Sequence, residues 1–219
     1  TQVDTGMGAT IDMNQLSYTS QDGTLAILRD LNLSIPSGGR AVITGRNGSG
    51  KSTLLRLLAV QYQPTSGTVS FNGHPSGNLN TADLRYHVGD CFLSEDLFEG
   101  SLLENITLGR PEIELSDVQW AIDGLGLTNF MQSLPLGYET PVGPTAIPLS
   151  SSLVERILLE RAIVTRPRLL LMDDIFHLFD PKERATIIEF IWDKKQPWTL
   201  VAASNLDVVK EYSTQYIEL

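Results

Sequence analysis

The amino-acid sequence predicts an α/β fold built on a mostly parallel sheet. Short apolar runs at residues 41–44, 169–172 and 199–203 read as strands buried on both faces. Residues 52–60 and 182–193 read as helices, so strand and helix alternate along the chain. The glycine distribution adds where such a fold can meet a ligand. All 18 glycines lie at or before Gly143. Positive φ and close backbone approach are cheap only at glycine, so glycine-dependent ligand contacts belong to the first two thirds of the chain.

In chain order, residues 1–9 are small and polar and read as a linker or frayed end. Residues 11–18 and 27–35 alternate apolar with polar, the pattern of half-buried strands. Pro36-Ser37-Gly38-Gly39 is a turn, residues 45–50 form a glycine-rich loop, and residues 68–72 return to a strand. The helix after the loop turns Leu54, Leu55, Leu57 and Leu58 inward as core. From about residue 94 to 165, helical segments broken by Pro111, Pro135, Pro141, Pro144 and Pro148 read as an insertion between early and late sheet strands. The sheet-bearing core is then residues 10–93 and 166–219.

Composition bounds the function. A chain of 219 residues, 42% hydrophobic and 7% aromatic, supports one domain with a mostly aliphatic core. Sixteen Lys and Arg against 26 Asp and Glu give a net charge of -10, which disfavours a nucleic-acid partner and leaves room for a local anion site. The single cysteine, Cys91, excludes an internal disulfide, fits a reducing compartment and reads as a small core residue. No run approaches the ~20 apolar residues of a membrane span. The first residues lack a signal-peptide pattern, so the chain as given is expected to be soluble, with any spans supplied by other segments or subunits. His74, His87 and His177 have no metal-ligand spacing. Trp120, Trp192 and Trp198 read as packing residues.

The strongest motif is Gly45-Arg46-Asn47-Gly48-Ser49-Gly50-Lys51-Ser52, a full G-x-x-x-x-G-K-[ST] between a buried strand and an amphipathic helix. Successive backbone N–H groups of such a loop form a nest for phosphates, and the helix adds its N-terminal dipole. Lys51 supplies a point charge for the β- and γ-phosphates, and the Ser52 hydroxyl suits Mg²⁺. Leu169-Leu170-Leu171-Met172-Asp173 is the expected companion. This central strand delivers a carboxylate to the sheet edge beside the loop, where it can hold the Mg²⁺ shell.

From Ile11 to Leu219 the chain resembles the nucleotide-binding domain of an ATP-binding-cassette (ABC) transporter. Leu97-Phe98-Glu99-Gly100-Ser101 with Glu104-Asn105-Ile106 looks like the exporter LF-x-G-[ST]…ENI segment. Leu134-Pro135-Leu136-Gly137-Tyr138-Glu139-Thr140 with Val142-Gly143 looks like the LP-x-GY-[DE]-T-x-VG run before an exporter's signature motif. Arg156-Ile157, Glu160-Arg161-Ala162-Ile163 and Pro167-Arg168-Leu169 follow the signature-helix pattern, and Asp180-Pro181 closes the D-loop. These runs favour an exporter, of the type I secretion, peptide or lipid kind, over an importer subunit. The resemblance implies a P-loop NTPase (RecA-like) core, an N-terminal antiparallel β-subdomain and an inserted helical subdomain. It implies nucleotide contacts from Tyr18 (the adenine-stacking aromatic), Gly45, Arg46, Asn47, Gly48, Ser49, Gly50, Lys51, Ser52, Thr53 and Ser150. It also implies a metal shell from Ser52 and Asp173, catalysis by Asp174 and Asn205, and ATP and Mg²⁺ as cofactors. Partners would be a second nucleotide-binding domain and an exporter's transmembrane domain, placing the chain on the cytoplasmic face of a membrane. Asp83, Asp90, Glu95 and Asp96 read as a solvated acidic face, with a transmembrane coupling helix as the alternative occupant.

The departures are as informative. Leu93 stands where the family has its Q-loop glutamine, and Leu149-Ser150-Ser151-Ser152-Leu153 stands for LSGGQ. Asp174 stands for the catalytic glutamate, Asn205 for the switch histidine, and Pro144 for the glutamate of the exporter coupling segment. Asp174 is one methylene short, which sets its carboxylate about 1–1.5 Å back. Misplacement on that scale costs on the order of a hundredfold in rate. Asn205 can donate a hydrogen bond to a γ-phosphate but cannot carry charge or relay a proton as histidine does. Ser150 can still cap its helix and touch phosphate, while Ser151 and Ser152 add Cβ atoms where backbone should approach ATP. The expectation is a chain that binds Mg-ATP and hydrolyses it weakly. A homodimer would pair two sites altered on both faces. A partner with intact motifs would leave each site altered on one face only, so a hetero-partner is favoured. Two alternatives stay open: a slow but competent ATPase, and a regulatory or structural pseudo-ATPase that acts as a docking partner.

Overall fold

The computed structural model describes residues 8–20, 22–92, 95–146 and 148–219. Leu93 and residues 1–7 of the expected linker lie outside the described residues. The chain opens with strands β1 (Ile11–Thr19), β2 (Ala26–Ile35) and β3 (Arg40–Thr44), followed by helix α1 (Lys51–Leu58) and strands β4 (Ser66–Phe71) and β5 (His74–Pro75). Helix α2 (Thr81–Tyr86) leads into β6 (Val88–Phe92). The helical region holds β7 (Gly100–Ser101), α3 (Leu102–Thr107), α4 (Leu115–Gly124), α5 (Thr128–Ser133), β8 (Pro141–Val142) and α6 (Ser151–Ile163). Then come β9 (Leu169–Asp173), α7 (Pro181–Trp192), β10 (Thr199–Ala203), α8 (Asp207–Tyr212) and β11 (Gln215–Glu218).

The central sheet has the order β11-β3-β10-β9-β6, and every neighbouring pair in it is parallel. A second, antiparallel sheet of order β2-β1-β4-β5 is the N-terminal β-subdomain. Period-2 alternation splits the central strands between two cores. Leu169, Leu171, Val201 and Ala203 face α1 and the antiparallel sheet. Leu170, Met172, Leu200 and Ala202 face the layer of α4, α6 and α7. Both faces are covered, which is why β9 and β10 are each apolar at four of five positions, Asp173 and Thr199 apart, and buried at all five. Cys91, Trp192 and Trp198 are buried in the second of these cores.

Local chemistry fixes the helix starts around the sheet. Asp180 caps α7, accepting from the N–H groups of Lys182 and Glu183, both at 2.8 Å, while Glu183 reaches back to the Asp180 N–H. Pro181 takes the first helical position, where no N–H is needed. Ser101 and Glu104 make the same reciprocal box on α3. No helix among the described residues is long and apolar enough to cross a membrane.

Two expectations are corrected. Gly8 and Ala9, expected at the end of the linker, are buried. The Ala9 N–H donates to the Arg168 carbonyl at 3.0 Å, and the Thr199 hydroxyl donates to the Ala9 carbonyl at 2.6 Å. Chain entry is thereby tied to the start of the central sheet. The acidic face is not uniformly solvated either. Asp83 and Asp96 are exposed, but Asp90 and Glu95 are half-buried and line a polar cavity of about 200 Å³ with Arg110 and Arg161. Burial raises both carboxyls. That of Glu95 reaches about 7, with the Asp90 charge adding to the rise and Arg161 opposing it. The Asp90 carboxylate accepts from the Gln61 amide at 2.7 Å.

Candidate functional site

The C-terminal edge of the parallel sheet carries the site, as expected for a sheet of this kind. Strand β3 ends at Thr44, the loop runs from Gly45 to Gly50, and α1 begins at Lys51. Gly50 has φ 102 and precedes the helix without any side-chain cap, so the first N–H groups of α1 face outward. A Cβ on Gly50 would meet Ile27 and Leu28 of β2 at 3.0 Å, and the left-handed backbone would be strained besides. Gly45, at φ 148, is similarly confined, since a Cβ there would come within 2.5 Å of the Leu219 carbonyl oxygen.

The loop and the ends of β2 and β9 enclose an open cleft of about 400 Å³. Asn47, Gly48, Gly50, Lys51, Ser52 and Thr53 line one side, Asp173 and Asp174 the floor, and Leu25 and Ile27 the remaining wall. Lys51 is buried, and its ammonium donates to the carbonyls of Gly45 at 2.8 Å and Arg46 at 2.9 Å. Those carbonyls hold a desolvated cation beside the cleft until a stronger anionic acceptor arrives. Gly45, Arg46 and Ser49 therefore form the back of the loop rather than its lining. The Ser49 hydroxyl is buried without a hydrogen-bond partner, an orphaned polar atom inside the loop.

Asp173 closes β9 and is buried. Asp174 follows in the left-handed region at φ 51, a strained conformation for an L-residue. It is fixed by its N–H, which donates to the Ala203 carbonyl at 3.0 Å, and by its carbonyl, 2.6 Å from the His177 ring nitrogen. Burial lifts the Asp174 carboxyl above the ordinary carboxylate range. His177 and Lys51 hold it back, and the Asp173 charge adds to the rise. Asn205 stands across from the loop, its amide bonded to both backbone groups of Gly45.

The donor set suits a magnesium ion. Ser52 offers a hydroxyl and Asp173 a carboxylate into the same cleft, both hard oxygens. Mg²⁺ takes few protein ligands and completes an octahedron with phosphate and water. No cluster of three or more His, Cys, Asp or Glu among the described residues could hold a metal by itself.

Two sequence-expected residues stand apart from the cleft. Tyr18 does not line it; it is only 8% exposed, and its ring is stacked on Tyr62 with centroids 5.4 Å apart and planes within 7°. Ser150 lies in the helical region, where its hydroxyl caps α6 by accepting from the Leu153 N–H at 3.3 Å. Conversely, the apolar wall of Leu25 and Ile27 was not marked by any motif. The available signal was an alternating strand whose outward positions remain apolar where it passes the phosphate loop.

A family model described as "ABC transporter" matches residues 28–177. A Staphylococcus aureus protein described as a multidrug export ATP-binding/permease protein is 33% identical over 201 residues, 91% of this chain and 35% of that protein. The mouse protein named ATP-binding cassette sub-family B member 10, mitochondrial, is 34% identical over 85% of this chain and 27% of its own length. The fold superposes on a bacterial Atm1-family ABC exporter solved with ATP bound, with a TM-score of 0.88 and 26% identity, covering 99% of this chain and 38% of the other. The chain thus spans about a third of the length of the curated relatives it matches.

Proposed function

Since this chain belongs to the ABC transporter family, we propose that it is the ATP-binding domain of an exporter, that it binds Mg-ATP in the cleft between the phosphate loop and β9, and that it hydrolyses ATP weakly. One observation carries the reading: Lys51, Ser52, Asp173 and Asp174 converge on a single cleft. In use, the loop N–H groups and the α1 N-terminus cradle the phosphates. Lys51 exchanges its two carbonyl acceptors for phosphate oxygens. Ser52 and Asp173 would hold Mg²⁺, which would neutralise and orient the phosphates. Asp174 is the group placed to take a proton from the attacking water, from a carboxyl set back by the missing methylene.

The weakness of hydrolysis follows from residue type. Asp174 is short, Asn205 cannot relay a proton, and Ser151 and Ser152 occupy the signature glycine positions. Retaining one intact face per site favours a second nucleotide-binding domain of different sequence as the partner, with a transmembrane domain completing the exporter at the cytoplasmic face of a membrane.

Calorimetric titration with Mg-ATP, with Lys51→Ala alongside, tests this. Binding in the micromolar range that the variant loses is the expected result. Equal heats in both proteins would overturn it.

A second reading is favoured by the Asn205–Gly45 pairing, which occupies the amide that would otherwise meet a γ-phosphate. In that reading the domain holds nucleotide statically and acts as a docking partner. Sedimentation with and without Mg-ATP separates the two, because only the first predicts an ATP-dependent dimer.

A further inference from the structure

Asp174 stands in a backbone conformation that L-residues seldom adopt. Its φ of 51 puts it in the left-handed region, after β9 and before the 3-10 turn Ile175–Leu178. Hydrogen bonds flank the strained residue on both sides. Its N–H reaches the Ala203 carbonyl of β10 at 3.0 Å, and its carbonyl oxygen lies 2.6 Å from Nδ1 of His177. The first bond is main chain to main chain and would form with any side chains. The second depends on one imidazole.

The turn that carries this imidazole is held by other groups. Ile175 and Phe176 are buried in the core. The Arg184 guanidinium donates to the carbonyls of Phe176 and Phe179, each at 3.0 Å. His177 itself is exposed, and its ring bond goes back to Asp174. A carbonyl oxygen can only accept, so Nδ1 carries the proton, and in the neutral ring Nε2 is bare.

Turning Asp174 out of the left-handed region would redirect its Cα–Cβ bond, and with it the carboxylate that reaches the floor of the cleft. A displacement of about 1 Å costs on the order of a hundredfold in a chemical step. Lys51 and Ser52 come from α1, a separate element, so the phosphate contacts do not depend on this turn.

We propose that His177 is a positioning residue for hydrolysis: its Nδ1–H holds the Asp174 backbone so that the carboxylate faces the phosphate cleft. The assignment rests on the hydrolytic reading of that cleft and adds a residue outside it.

The test is single-turnover phosphate release and Mg-ATP titration on the unaltered chain, His177→Ala, His177→Asn, Asp174→Ala and the double variant of His177→Ala with Asp174→Ala, with Lys51→Ala as the baseline. His177 is exposed and its neighbours keep the turn in place, so the fold survives its replacement. His177→Ala should slow release about ten- to a hundredfold. Mg-ATP affinity should stay within about twofold, the mark of an interaction used in the chemical step rather than in binding. The amide nitrogen of His177→Asn is as many bonds from Cα as Nδ1 is, so this variant should recover the rate to within about threefold of the unaltered chain. In the Asp174→Ala background His177→Ala should change nothing, because the group it positions is gone. Nitrogen NMR of the imidazoles at about pH 8, where the ring is neutral, should show Nδ1 protonated, with His177→Asn assigning the signal. An unslowed His177→Ala, an equal loss in both backgrounds, no rescue by asparagine, or a ring protonated at Nε2 would each overturn the role of His177 and leave the hydrolytic reading in place. Release by the unaltered chain no faster than by Lys51→Ala would overturn that reading and the positioning role with it.

Discussion

The side-chain amide of Asn205 and the backbone of Gly45 hold each other in both directions. The Gly45 N–H donates to Asn205 Oδ1 at 3.1 Å, and Asn205 Nδ2 donates to the Gly45 carbonyl at 3.0 Å. The same carbonyl receives the Lys51 ammonium at 2.8 Å. Asn205 therefore sits one atom away from the phosphate-binding cation and sets the first glycine of its loop. Asn205→Ala should leave the thermal transition almost unchanged, because the residue is exposed. Mg-ATP affinity should fall about three- to tenfold, the order of one or two net hydrogen bonds. Calorimetry beside a thermal melt checks this, and unchanged affinity would mean that the loop keeps its shape without the amide.

A different variant addresses the chemical step. Asp174 is locked at φ 51 by its contacts to Ala203 and His177, so its carboxylate cannot advance by backbone movement. Lengthening the side chain is the direct remedy. Asp174→Glu is expected to raise phosphate release about ten- to a hundredfold over the unaltered chain. Lys51→Ala in the same background should return the rate to baseline. No gain would place the block elsewhere, at Asn205 or at the serine-rich start of α6.

How much was legible in the sequence follows the strength of local signals. The strand–loop–helix from Arg40 to Leu58 and the buried strands β9 and β10 were legible because four apolar residues in a row, or a full phosphate-loop pattern, leave little alternative. The short elements α2, α8, β6 and β11 carried no periodic signal, since four to six residues complete barely one turn or a few alternations. Strand β6, Val88-Gly89-Asp90-Cys91-Phe92, even carries a carboxylate and a glycine. It is a strand because β9 pairs with it. At the site, Lys51, Ser52, Asp173 and Asp174 were legible from motif spacing. The burial of Tyr18 was not, because it depends on Tyr62, which arrives from beyond α1. The burial of Asp90 and Glu95 was likewise set by α6 and Arg161 packing from afar.

Glu160 predicts a pH dependence. It lies on α6, is 1% exposed, and its Oε1 has no hydrogen-bond partner. Burial drives its carboxyl well above the ordinary value of 4.5, which favours the neutral form in the folded chain. Among the described residues its charge is felt by Tyr138, whose hydroxyl is raised first by burial and then by Glu160. With the folded pKa above the unfolded one, stability is full below about the unfolded value and declines as pH rises toward the folded one. Glu160→Leu removes both the orphaned oxygen and the titration. It should stabilise by about 1–3 kcal/mol at pH 7.5, and the gain should shrink as pH falls toward 4. Denaturant unfolding at the two pH values checks it, and a gain independent of pH would show that Glu160 is not the titrating group.

Gly89 marks where the central sheet meets the helical region. A Cβ at this position would lie 2.1 Å from the Ala162 carbonyl oxygen and 2.9 Å from Pro167 Cγ. Strand β6 and the backbone of α6 thus touch directly, without an intervening side chain. The obstacle is main chain, which cannot swing aside as a rotamer can, so α6 must move as a body. Gly89→Ala should cost about 1–3 kcal/mol, as overpacking of a tight interior does. For a chain of this size that is roughly 3–10 °C in Tm. Gly77→Ala is the matched control, since nothing lies within 4 Å of a Cβ there. Because α6 starts at the Ser150 cap, its displacement also moves Ser150, Ser151 and Ser152, the residues that would face a partner's nucleotide. ATP-dependent association should therefore weaken in Gly89→Ala by more than the loss of folded protein explains, while Mg-ATP affinity of the isolated domain, set at the far side of β9, stays the same.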